Sequence, residues 1–202
     1  MAQPTAYQRV TTSTDYDASA GVMALVFDGV DDSMYTSAID FTTTDKMTVF
    51  AGVHKASDAA LGMFLEYGNG GTDSFQVVQV QIPGSNPTTQ KVITSTQGTA
   101  AAYVIADSAD YSAPKTLVYS AVMDIAGDSL VVRLNSAQVG SSSADQGTGN
   151  YGNKPLYIGR RNNASFPFSG RIYQLAIKGK SLSAGEIATV ESFINSKTKA
   201  YV

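Results

Sequence analysis

Turn-forming residues recur about every ten positions along this chain, and the runs between them are short and rich in β-branched and aromatic residues. That rhythm constrains the fold more than any other feature, because it leaves no room for long helices and asks for a sandwich or barrel. The candidate strands are residues 23–27, 33–37, 46–54, 62–67, 74–82, 91–95, 102–105, 115–123, 129–134, 137–140, 156–159 and 170–177. Several alternate as half-buried strands do. In residues 171–177, Ile172, Gln174 and Ala176 take one face and Tyr173, Leu175 and Ile177 the other. Leu130, Val132 and Leu134 alternate with Val131 and Arg133. Asn135-Ser136 then reads as a two-residue turn, since Asn tolerates positive φ, with residues 137–140 returning antiparallel.

One helix carries a complete start signal. Ser183 is its N-cap, Glu186 closes a capping box, and Leu182 and Ile187 occupy the staple positions. Ile187, Val190 and Ile194 line one face with Phe193 beside them, so the helix should span residues 183–198 and lie against the sandwich.

The 202 residues are enough for one large all-β domain, with residues 1–22 as an N-terminal arm or edge segment. The absence of cysteine excludes disulfides, thiol chemistry and cysteine-held metal centres. Net charge is −3 with no basic stripe, which argues against nucleic acid as a partner. No apolar run approaches the ~20 residues of a membrane helix. The opening MAQPTAYQRV lacks the pattern of a secretory signal, so the expectation is synthesis in the cytosol, or a fragment whose leader lies elsewhere.

Catalysis finds little support. The only histidine, His54, falls in a candidate core strand with no nucleophile–acid pairing in view. Glutamates number three: Glu186 and Glu191 belong to the helix, and Glu66 has no acidic neighbour two or four residues along its strand, as a glucanase pair would require. Asp28, Asp31 and Asp32 have two readings. One is a calcium site, since hard cations take several oxygens from one loop. The other, preferred, is a tight turn in which Gly29 supplies unusual φ and the carboxylates bind nearby backbone N–H groups. Two loops are rich in groups that hydrogen-bond or stack on sugars, against the alternative of ordinary Gly-rich hairpins: residues 67–73, with Tyr67, Asn69 and Asp73, and residues 150–153 together with 160–163, with Tyr151, Asn153, Arg160, Arg161 and Asn162. In Phe166-Pro167-Phe168 the aromatics suit core packing, or a protein contact.

The ordered set Phe27-Asp28-Gly29-Val30-Asp31-Asp32, then residues 46–53, then Leu156-Tyr157-Ile158-Gly159-Arg160, Phe168-Ser169-Gly170-Arg171-Ile172-Tyr173 and Leu182-Ser183 with Glu186-Ile187 resembles laminin-G-like, concanavalin A-like jelly rolls. It is most similar to the branch found in tailed-phage and prophage structural proteins. The resemblance spans about residues 24–197 and is poor over about 68–115. It implies an antiparallel two-sheet jelly roll with one C-terminal helix, and a non-enzymatic module on a virion that recognises a host surface glycan as part of a tail fibre or spike. The alternatives it leaves are a capsid-decorating or adaptor protein contacting another virion protein and, more weakly, a glycoside hydrolase. By analogy with fibre relatives, a homotrimer is the expected assembly.

Overall fold

The computed structural model describes residues 16–17, 21–68, 77–82, 92–162 and 164–202, the first pair and 77–79 as backbone only. The strands are β1 (Tyr16–Asp17), β2 (Val22–Met23), β3 (Leu25–Asp28), β4 (Met34–Tyr35), β5 (Ile39–Asp40), β6 (Lys46–Lys55), β7 (Met63–Tyr67), β8 (Val77–Gln81), β9 (Val92–Gln97), β10 (Ala101–Ala106), β11 (Lys115–Asp124), β12 (Ser129–Leu134), β13 (Ala137–Ser142), β14 (Asn153–Lys154), β15 (Leu156–Ile158) and β16 (Ser169–Lys178), followed by helix α1 (Ala184–Thr198). Two antiparallel six-stranded sheets face each other. Sheet A runs β10-β9-β8-β7-β15-β4 and sheet B runs β13-β12-β11-β6-β16-β3. The expected all-β sandwich with one terminal helix is what forms. Most of the N-terminal arm, and residues 74–76 of the 74–82 candidate strand, lie outside the described residues.

Alternation decides what enters the core. Met47, Val49, Ala51 and Val53 of β6 point inward with Leu117, Tyr119, Ala121 and Met123 of β11. Sheet A answers with Leu65, Tyr67, Val80, Val104, Leu156 and Ile158. Of the three core tyrosines, two meet a threonine of β9 in sheet A: Tyr119 with Thr94 at 2.9 Å and Tyr151 with Thr96 at 2.7 Å. A buried hydroxyl without such a partner would be costly, so these pairs also fix how the two layers sit.

The alternation expected for residues 171–177 is corrected by a β-bulge. Ile172 pairs with Val53 but Gln174 pairs with Gly52, which leaves Tyr173 as the extra residue. The bulge shifts the parity, so Ile172 shares the core face with Leu175 and Ile177 rather than with Gln174. Elsewhere the local chemistry holds. Asn135 and Ser136 have φ of 50° and 65°, as a two-residue turn with both central residues left-handed requires. Ser183 caps α1 within a full capping box.

The helix covers the outer face of sheet B. Ile187 and Ile194 pack on Phe50 and Val118, with Leu182 at the staple position. The close approach depends on Gly52, where a Cβ would lie 2.6 Å from Thr198 Cγ2. Glu191 is buried in this interface. It accepts from Ser120 Oγ at 2.6 Å and from Arg133 Nε at 2.8 Å. His54 lies half-buried on the same outer face beyond the helix, with Nδ1 3.0 Å from Thr116 Oγ1. Among the described residues, no helix is long and apolar enough to cross a membrane.

Candidate functional site

Where β15 ends, Gly159 adopts φ of 83° and the chain turns back toward β16. No side chain fits there, because a Cβ would stand 2.3 Å from the Phe27 ring. The base of this connection is apolar. Phe168 packs edge-on against both Phe27 and Phe64, at centroid distances of 6.0 and 5.8 Å. The upper part is a small closed loop: Arg161 N–H donates to Ser165 O at 2.8 Å, and Ala164 N–H to Arg161 O at 2.9 Å. Asn162 and Phe166 take φ of 48° and 55° to close it.

This loop is tied to the outer face of sheet A by one carboxylate. Glu66 is on β7, between Leu65 and Tyr67, which face the core, so its own side chain points outward. It is nonetheless only 1% exposed. Arg161 Nε donates to it at 3.1 Å and the Asn162 N–H at 3.2 Å. Arg161 also lies over the Phe166 ring at 5.6 Å. Arg160 turns the other way. Its guanidinium donates to Ala164 O at 2.8 Å and to Asp31 O at 3.4 Å, linking this loop to the β3–β4 connection.

Cross-strand register continues the site over the sheet. Glu66 stands opposite Tyr157, and Tyr157 opposite Tyr35. The two tyrosine rings are half-buried, with centroids 6.1 Å apart. On the other side Glu66 is level with Gln79, Ser95 and Tyr103. The outer face of sheet A thus carries aromatic residues at both ends and an ion pair near its middle, with the closed loop at its margin. Faces of this kind suit sugars: ring faces stack on tyrosine while hydroxyls bond to fixed polar groups.

The three aspartates do come together, with one carboxylate oxygen from each within 4.8 Å of the others. Turn chemistry is present too: Asp28 Oδ1 accepts from Val30 N–H at 2.7 Å, and Asp32 Oδ2 accepts from Asp28 N–H at 2.9 Å. Such a set could hold a hard cation through carboxylate oxygens, with Asp28, Asp31 and Asp32 as ligands.

The other expected ligand residues separate. Tyr67 and Tyr151 are corrected: both are buried in the core, where no sugar reaches them. The Tyr67 hydroxyl donates to Ile39 and Gly152 carbonyls, and burial pushes its pKa up to about 12. Tyr151 is likewise held up by burial. Asn153 is exposed on β14, before β15, whereas Arg160, Arg161 and Asn162 follow that strand, so the expected second loop is really two sites at opposite ends of β15. Asn69 and Asp73 lie outside the described residues. Tyr35 and Tyr157 were not singled out from the sequence, nor was Glu66 paired with Arg161; the alternation of β15 against a buried β7 was the signal for an outward Tyr157. Phe168 is core, as expected, whereas Phe166 is 39% exposed.

Solved structures resemble this fold at low identity. The botulinum neurotoxin serotype D ligand binding domain in complex with N-acetylneuraminic acid matches with a TM-score of 0.65 and 15% identity, over 91% of this chain and 44% of that one. The Ruminococcus gnavus IT-sialidase CBM40 bound to α2,3 sialyllactose matches with a TM-score of 0.57 and 14% identity, over 78% of this chain and 98% of that one. A heptameric SAP-like pentraxin from Limulus polyphemus gives 0.60 and 12%, over 82% and 80%. The chain spans about half the length of the neurotoxin domains it matches. No curated protein sequence matches. Residues 27–188 match the family model Laminin_G_3, and the chain therefore belongs to the concanavalin A-like lectin/glucanases superfamily.

Proposed function

We propose that this chain is a carbohydrate-binding module that binds without catalysing, and that its ligand lies on the outer face of sheet A beside the 160–166 loop. The observation that carries this reading is the row Tyr35, Tyr157 and Glu66 with Arg161 locked onto it. Glu66 is the only glutamate in the row, and it is engaged by Arg161 and the Asn162 N–H. That suits a positioning group and not a proton donor to a glycosidic oxygen. Acidic sugars are the first class to try, because two of the structurally similar proteins are described with sialic acid ligands.

Calorimetric titration with sialyllactose and with lactose, each with and without calcium, tests the reading. Binding of either sugar that falls at least tenfold in Tyr157→Ala is expected, about 1.4 kcal/mol. Silence across a broad glycan array would overturn it. A requirement for calcium, lost in Asp31→Asn, would add the aspartate loop to the site.

The setting on a phage particle, as part of a tail fibre or spike, rests on the resemblance of the terminal segments alone. Gold labelling of particles in the electron microscope checks it, and label over the capsid lattice would favour the decoration or adaptor reading.

A further inference from the structure

The four outer strands of the two sheets are not equally protected. Proteins blunt exposed sheet edges by shortening them, bulging them or placing charge on them. In sheet A, β4 has two residues. In sheet B, β3 has four, and β13 meets β12 through a register shift at Val132 and Arg133. The last edge, β10, has none of these devices. Its six residues, Ala-Ala-Tyr-Val-Ile-Ala, pair with β9 in unbroken register and contain no charge, glycine or proline. Among the described residues, no backbone hydrogen bond joins Ala101–Ala106 to anything but β9. Two large side chains stand outward on it, Tyr103 at 59% and Ile105 at 52% exposure.

From this we infer that β10 pairs antiparallel with β10 of a second copy of this chain, joining two A sheets edge to edge. A two-fold axis through Val104 gives a self-complementary register in which Tyr103 of each copy stands opposite Ile105 of the other. That makes two aromatic–β-branched pairs on the outer face, a favoured cross-strand combination. Val104 and Ala102 stay on the core side, where they are buried. The charge pattern permits the pairing. The nearest acid, Asp107, would lie opposite Ala101 of the partner, about 20 Å from the partner's Asp107, which is beyond the screening length. The axis stands perpendicular to the sheet, so both copies present their Tyr35–Tyr103 faces to the same side.

Sedimentation velocity on the full chain over a wide concentration range tests this. The expected result is a reversible dimer whose dissociation constant rises about tenfold or more in Ile105→Lys, a change at an exposed position that should leave the melting temperature unchanged at low concentration, where the chain is monomeric. The register has its own test, since the chain contains no cysteine. Tyr103→Cys and Ile105→Cys, oxidised as a mixture, should form a disulfide-linked pair, while neither should cross-link alone. A chain that stays monomeric at the highest concentration overturns the proposal. So does a dimer insensitive to Ile105→Lys, or a Tyr103→Cys variant that cross-links to itself.

Discussion

Glu66 is a carboxylate at almost full burial, and its worth depends on what remains when it is removed. Glu66→Ala would leave the Asn162 N–H without its acceptor and release the Arg161 guanidinium, which is 26% exposed and can recover water. The expected cost is about 1–3 kcal/mol, the usual worth of hydrogen bonds to a charged group, and less for Glu66→Gln, which keeps an acceptor. Urea unfolding measures it, and a loss below about 0.5 kcal/mol for the alanine variant would mean that the loop is held by its apolar base alone. Residues of this kind show how legibility divides. Asn135-Ser136 and the Asp28 turn could be read locally, because their partners lie within a few positions. Glu66 and Arg161 are 95 positions apart, and only the register of β7 against β15 brings them together. Tyr67 and Tyr151 were misassigned because a tyrosine beside glycine and asparagine suits a binding loop and a core with one hydroxyl to satisfy equally well.

At the scale of elements, helix α1 was legible from its capping box and apolar stripe, but its seat was not. That seat depends on Gly52, whose lack of a side chain admits Ile194 and Thr198. Gly52→Ala would force its methyl to within 2.8 Å of Ile194 Cγ2 as well, and overpacking of this kind costs about 1–3 kcal/mol. A thermal melt that is unchanged would show that the helix can lift away freely. The same interface carries a pH dependence. Burial raises the Glu191 carboxyl pKa, but the bonds from Arg133 and Ser120 outweigh it, and the net shift is downward. In the unfolded chain the group titrates near about 4.3. Its contribution is therefore complete above that value and is lost as pH falls through the lower folded pKa, because the unfolded chain takes up the proton first. Glu191→Gln should be less stable at neutral pH and show a flatter loss of stability below about pH 4.5. Parallel acid limbs in the two proteins would assign the acid sensitivity to other groups. The bulge at Tyr173 was the strand-level feature that alternation could not reveal. An inserted residue shifts the parity of everything after it, and nothing in Ile172-Tyr173-Gln174 marks the insertion.

Over the whole molecule, the two sheets share one core and the helix closes the outer face of sheet B by apolar contact and by the Glu191 cluster. The C-terminal tail adds a second tie, since Tyr201 bonds to Ser136 at the β12–β13 turn and to Asn195 of the helix. No element described here has a core of its own, so sandwich and helix should unfold together. The chain offers separate probes for each. With no tryptophan among its residues, its near-ultraviolet signal comes mainly from tyrosine, and Tyr67, Tyr119 and Tyr151 are all buried between the sheets. Per residue, the helix contributes more strongly to the signal at 222 nm than the strands do. The two melting curves should coincide, and the calorimetric and van't Hoff enthalpies should agree at low concentration, where the β10 edges are unpaired. Loss of the 222 nm signal ahead of the tyrosine signal would show that α1 docks as a separable element, and Glu191→Gln should then widen the gap between the two curves.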